Sequence, residues 1–145
     1  MIWCVEDDAS IRDIEVYALT STGFEARGFE DGDSFWNALQ SEKPELVILD
    51  VMLPGKDGVE LLKMMKASER FREIPVIMAT AKGTEYDKIQ SLDLGADDYL
   101  VKPFGIMEMV SSTQVQKTRL FPQNLYGRII IFLSQTHSET TPPLT

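Results

Sequence analysis

Five residues spread between positions 6 and 102 have types that could do chemistry together: Glu6, Asp7, Asp50, Thr80 and Lys102. Each closes a short apolar run. IWCV (2–5) leads into Glu6-Asp7-Asp8, LVIL (46–49) into Asp50, VIMA (76–79) into Thr80, and DYLV (98–101) into Lys102. Asp50 taken alone could be a strand cap, a metal ligand or a nucleophile. Three acids, a hydroxyl and a lysine at successive strand ends form a set. Crowded carboxylates repel and resist ionising together. A hard divalent cation relieves that repulsion, and Mg²⁺ takes oxygen ligands while keeping some of its waters. Such a set could hold a phosphoryl group with the metal on one oxygen, Lys102 on another and the Thr80 hydroxyl on a third. Asp50 would then be the nucleophile, and its product an acyl phosphate.

The elements that must position these residues alternate along the chain. The run at 2–5 reads as β1. Ile11, Ile14, Ala18 and Leu19, at three- and four-residue spacings, mark α1, which stops at Gly23. Residues 24–29 read as β2. Asp31 or Asp33 can cap α2, which carries Phe35, Trp36 and Leu39. Residues 46–49 are β3, and 58–66 are α3, with Val59, Leu62 and Met65 on one side. Residues 76–79 are β4. Tyr86, Ile89 and Leu92 mark α4, which runs to a stop at Gly95. Residues 98–101 are β5, closed by Lys102-Pro103-Phe104, and α5 follows. The strands are too apolar to have a wet face, so the pattern predicts an α/β fold, a doubly wound parallel sheet with helices on both sides. Ligands bind such sheets beyond the C-terminal strand ends, near a switch in strand order, and all five residues fall at that edge.

The 145 residues suit one domain, with 43% apolar and 26% charged residues. The net charge of −9 is uneven: −11 over residues 1–110 and +2 over 111–145. An acidic body argues against direct nucleic-acid binding, which wants a basic face. No run is long enough for a membrane span, and MIWCVEDD is too acidic for a signal peptide. Cys4, the only cysteine, permits no intrachain disulfide, which suits the cytoplasm. Cys4, Trp3, Trp36, Met64 and Met65 read as packing residues, and Asp8 as a solvated acid or a helix N-terminal charge.

The segments VEDDASIR, LVILDVMLPGKDG, VIMATAK and GADDYLVKPF, in that order, closely resemble the receiver domain of two-component response regulators. The resemblance covers about residues 1–110. It implies a flavodoxin-like (βα)5 fold with strand order 2-1-3-4-5. It also implies a partner histidine kinase that phosphorylates Asp50. Mg²⁺ would be bound by Asp7, Asp50 and the Met52 carbonyl, with Glu6 acting through water. Thr80 would be the switch hydroxyl and Tyr99 the switch aromatic. Lys102 would contact the phosphoryl group, and Lys102-Pro103 would be a cis bond.

The wording LDVMLPGKDG and GADDYLVKPF is most similar to the winged-helix (OmpR/PhoB-type) transcription factors, whose receivers dimerise through α4-β5-α5. Lys88, Asp97, Asp98 and Glu108 match charged interface positions there, while Ser111 and Ser112 stand where an arginine would be expected.

After about Val110 the pattern departs from the family, which predicts an incomplete or altered α5. Residues 111–145 are too few for a winged-helix DNA-binding domain. Pro122 and Gly127 interrupt any long helix, RIIIFL (128–133) is β-prone, and HSETTPPLT reads as disordered. These features suggest a truncated or frame-shifted product, or an extension whose RIIIFL segment adds a strand to a sheet. The resulting expectation is a signalling switch rather than an enzyme, acting as a homodimer through α4-β5-α5 or as an abnormal swapped dimer. The alternative is a non-signalling scaffold or interaction module. A phosphatase of the haloacid dehalogenase type would need a second acid two residues after Asp50, where Met52 stands.

Overall fold

The computed structural model describes residues 1–80, 92–102 and 104–120. The strands are β1 (Ile2–Val5), β2 (Ala26–Phe29), β3 (Leu46–Asp50), β4 (Val76–Thr80) and β5 (Asp98–Val101). All pair in parallel, in the order β2-β1-β3-β4-β5. β2 starts two residues later than expected, and β3 and β4 each take in the polar residue that ends them. The expected α4 falls largely at 81–91, outside the described residues, as do Lys88, the Lys102-Pro103 bond, RIIIFL and the final HSETTPPLT.

The sheet is covered on both faces. Toward α2 (Gly32–Leu39) and α3 (Gly58–Lys66) lie Trp3, Phe29, Phe35, Val47, Leu49, Leu62, Met65 and Met78. Trp3 meets Phe35 edge-on at 6.1 Å. Toward α1 (Ala9–Ser21) and α5 (Ile106–Leu120) lie Ile2, Cys4, Leu19, Ile48, Ile77, Leu100 and Met109. Successive strand residues serve opposite cores, which is why the central strands β1, β3 and β4 are apolar up to the polar residue that ends β3 and β4.

Helices α1, α2 and α3 begin on acids. Asp8 Oδ1 accepts from the Ile11 N–H at 3.1 Å, Asp31 Oδ1 from Ser34 at 2.8 Å, and Asp57 Oδ1 from Glu60 at 2.8 Å. Asp8 is therefore the cap of α1, and Asp31 rather than Asp33 caps α2. Each cap satisfies an N–H that has no partner within the helix. Asp57→Ala is expected to cost about 1 kcal/mol, read as a lower urea midpoint. Gly23, at φ 101°, takes the left-handed conformation that ends α1.

Two helices differ from expectation. In α1 the buried face is Glu15, Ala18 and Leu19, and Ile14 is 52% exposed. Spacing alone could not fix the phase, because the inner stripe includes a carboxyl. In place of the incomplete or altered α5 expected after about Val110, the helix runs from Ile106 to Leu120. Its inner face turns polar there, with Ser112, Thr113 and Gln116 all buried. Each of these finds a partner: Thr113 Oγ1 donates to the Met109 carbonyl at 2.9 Å, Gln116 Nε2 to the Asp97 carbonyl at 3.5 Å, and Ser112 Oγ to Asp98 Oδ2. Hydrogen-bonded polar groups are tolerated in a core where unpaired ones are not, so an interrupted apolar stripe did not mean an interrupted helix.

Candidate functional site

Strand register brings the polar residues together. Val5 lies opposite Leu49, so Glu6 comes level with Asp50. Asp50 lies opposite Ala79, which puts Thr80 one residue beyond it. Thr80 lies opposite Val101, and the Lys102 N–H donates to the Thr80 carbonyl at 2.6 Å. The site therefore lies at the carboxyl edge, beside the point where the chain crosses from β1–β2 to β3–β4–β5.

Asp50 is 4% exposed. Its Oδ1 accepts from the Met52 N–H at 3.0 Å, and its Oδ2 from Lys102 Nζ at 2.8 Å. Lys102 Nζ also donates to Glu6 Oε1, so one ammonium bridges two acids from different strand ends. Burial lowers the Lys102 pKa, but the bonds to Asp50 and Glu6 outweigh it and hold the group above its ordinary value. Burial pushes Glu6 up to about 6, against the hydrogen bonds from Lys102 and the Asp8 N–H, and the Asp50 charge adds to the rise.

Asp7 is exposed beside this pair. Carboxylate oxygens of Glu6, Asp7 and Asp50 lie within 4.8 Å of one another. The donors are all hard oxygens, and the one lysine among them pairs with only two of the three acids, Glu6 and Asp50, so the cluster suits a hard divalent cation.

Behind Asp50 the backbone is tightly packed. The Gly58 N–H donates to the Val51 carbonyl at 2.9 Å, and a Cβ on Gly58 would fall 2.1 Å from the Asp50 carbonyl oxygen. Only glycine fits there, because the obstructing atoms are backbone and cannot swing aside. Gly58→Ala is expected to lose at least about 1–3 kcal/mol through overpacking, read as a fall in the urea midpoint.

The other expected residues fall as follows. Thr80 is 1% exposed at the end of β4, and Tyr99 is buried on β5 opposite Met78. Asp97 and Asp98, expected at an interface, have inward duties. The Val76 N–H donates to Asp97 Oδ2 at 2.8 Å. Asp98 accepts from the Tyr99 N–H at 2.8 Å and from Ser112. Ser112, standing where an arginine was expected, thus engages one of these carboxylates within the chain. Glu108 is exposed in the first turn of α5, and its Oε1 accepts from the Gly105 N–H at 3.4 Å.

Sequence reasoning missed Arg12 and Glu15. Arg12 Nη1 donates to the Glu6 carbonyl at 2.7 Å. Glu15 is 2% exposed, and its Oε1 has no hydrogen-bond partner among the described residues. Burial pushes it up to about 8; the Glu6 charge adds to this and Lys102 opposes it. Its four-residue spacing from both Ile11 and Leu19 was the available signal.

A doubly wound parallel sheet with acids and a lysine gathered at its carboxyl edge has the layout of a receiver. The chain belongs to the response regulator receiver domain family, whose model matches residues 2–114. Over 121 residues it is 41% identical to the phosphate regulon transcriptional regulatory protein PhoB of Escherichia coli (strain K12), a match covering 83% of this chain and 53% of that protein. The chain thus spans about half the length of the curated relatives it matches. The BeF3-activated N-terminal receiver domain of Klebsiella pneumoniae RstA superposes with a TM-score of 0.74 at 28% identity, covering 80% of this chain and 97% of that one. The receiver domain of the Francisella response regulator 1452 does so at 0.74 and 26%, covering 85% and 97%. Among the described residues no helix is long and apolar enough to cross a membrane.

Proposed function

We propose that the chain is the phosphoacceptor switch of a two-component system, taking a phosphoryl group on Asp50 from a partner histidine kinase. One observation carries the reading: Lys102 Nζ bridges Asp50 and Glu6 beside Asp7, at the carboxyl edge of the sheet. A carboxylate oxygen of Asp50 attacks phosphorus, an O–P bond forms, the P–N bond to the donor histidine breaks, and the electron pair stays on the imidazole nitrogen. Lys102 is then positioned to exchange its bond to Asp50 for a phosphoryl oxygen. Asp7, Asp50 and the Met52 carbonyl would hold Mg²⁺, with Glu6 acting through water. The ion supplies positive charge to the transferring group.

The Thr80 hydroxyl would follow the phosphoryl group, and Tyr99 would turn on the neighbouring strand, altering the α4-β5-α5 face. The chain acts by being modified rather than as an enzyme with its own substrate turnover. By analogy with its relatives it would work in the cytoplasm, dimerise through that face and serve transcription without itself binding nucleic acid. The inward bonds of Asp97 and Asp98 would have to open for those carboxylates to reach a partner, which favours a weak homodimer or a swapped one.

The test is incubation of the purified chain with acetyl phosphate, read by intact mass. One phosphoryl group per chain with Mg²⁺, and none with a chelator, is the expected result. A folded chain that stays unlabelled under both conditions overturns the reading.

A further inference from the structure

We propose that Arg12 is a positioning residue for the metal-binding edge: its stem is laid through the gap that Gly28 leaves on β2, and its guanidinium fixes the Glu6–Asp7 peptide and so the aim of Asp7. The inference rests on the metal reading above.

Asp7 stands two residues beyond the end of β1, where sheet hydrogen bonds give out. The residue before it is held from two sides. The Glu6 N–H donates to the Phe29 carbonyl at 3.0 Å, and the Glu6 carbonyl accepts from Arg12 Nη1 at 2.7 Å. That carbonyl belongs to the peptide joining Glu6 to Asp7. The peptide is planar, so holding its oxygen sets the plane from which the Asp7 Cα departs. A charged donor makes the stronger kind of hydrogen bond.

The route of the arginine is built into the sheet. A Cβ on Gly28 would lie 2.8 Å from both Cγ and Cδ of Arg12. Gly28 is not among the positive-φ residues, so glycine is needed there for space and not for backbone conformation. Glycine inside a strand weakens it and often marks a close approach. Here the approaching group is the stem of Arg12, crossing the face of β2 at the residue paired with Cys4.

The test is Mg²⁺ titration of the full chain by calorimetry, with urea midpoints in metal-free buffer alongside. Arg12→Ala should raise the Mg²⁺ dissociation constant about tenfold or more, the size of one lost hydrogen bond to a charged group. Arg12→Lys, which keeps the stem and a donor, should recover part of that loss. Gly28→Ala should weaken Mg²⁺ binding by displacing the stem, and the double variant should be no weaker than Arg12→Ala alone. A purely structural arginine would lower the urea midpoint and leave Mg²⁺ affinity unchanged. Unchanged affinity in Arg12→Ala and Gly28→Ala, or additive losses in the double variant, overturns the proposal while the metal reading stands. A wild-type chain that does not saturate with Mg²⁺ overturns both. Should Arg12→Ala not fold, Arg12→Gln and Gly28→Ala carry the same comparison.

Discussion

Asp50→Asn is expected to take up no phosphoryl group from acetyl phosphate with Mg²⁺, under conditions in which the parent chain becomes singly labelled. The substitution keeps the shape of the side chain. Its amide oxygen can still accept from the Met52 N–H, the bond now 3.0 Å long, and Lys102 keeps Glu6 as a partner. The fold should therefore survive, and circular dichroism with a urea midpoint close to the parent's would establish that. What is lost is the anionic nucleophile, together with one carboxylate of the three that converge within 4.8 Å. A fall in rate of a thousandfold or more corresponds to about 4 kcal/mol of transition-state stabilisation, and intact mass would read that as no product. Labelling of Asp50→Asn at the parent rate would move the acceptor elsewhere and sink the assignment.

The second large effect belongs to Glu15. Its side chain is buried, one oxygen lacks a hydrogen-bond partner among the described residues, and the carboxyl is pushed up to about 8 by burial and by the Glu6 charge. A raised pKa means that the folded chain holds a proton which the unfolded chain releases near the ordinary value of 4.5. Folding is then most favoured below that value, and the advantage is lost as pH rises through about 8. Glu6 contributes with the same sign, but only up to about 6. Between about 6 and 8 the remaining slope falls to Glu15, at up to about 1.4 kcal/mol per pH unit for one proton. Glu15→Gln keeps the size and removes the titration. Urea midpoints in metal-free buffer should fall with pH across that window in the parent and stay nearly level in the variant, which should be the more stable of the two at pH 8. Parallel slopes in the two proteins would mean that Glu15 is not the titrating group.

The two misread helices share a physical cause. Ile14 belongs to the apolar spacing that marks α1 and yet is exposed, while Glu15 is inside. Ser112, Thr113 and Gln116 lie where the pattern departs from the family, yet they are buried on a helix that runs to Leu120. Hydrophobic periodicity registers the cost of burying polar atoms but not whether partners offset it. The offsetting partners come from Met109 on α5 itself and from Asp97 and Asp98, more than ten positions earlier in the chain. The site was more legible. Its residues sit where apolar runs stop, and a run of four or five apolar residues in an alternating pattern leaves little choice but a buried parallel strand. Arg12 went unnoticed because its function lies in a backbone carbonyl six residues back and a glycine on another strand, neither of which carries a signal in composition.

By itself the sequence determined the alternation of strands and helices, the edge at which Glu6, Asp7, Asp50, Thr80 and Lys102 emerge, and the family likeness carried by those segments. These are local properties, set by the length of apolar runs, by caps and by the residue that ends each run. The tertiary structure decided which of those groups touch: that Lys102 joins Asp50 to Glu6, that Asp97 and Asp98 turn inward, and that Gly58 leaves room only for backbone. Contacts of that kind depend on strand register and helix phase. Both are fixed when the two cores on either face of the sheet are packed, and no stretch of sequence read alone contains that packing.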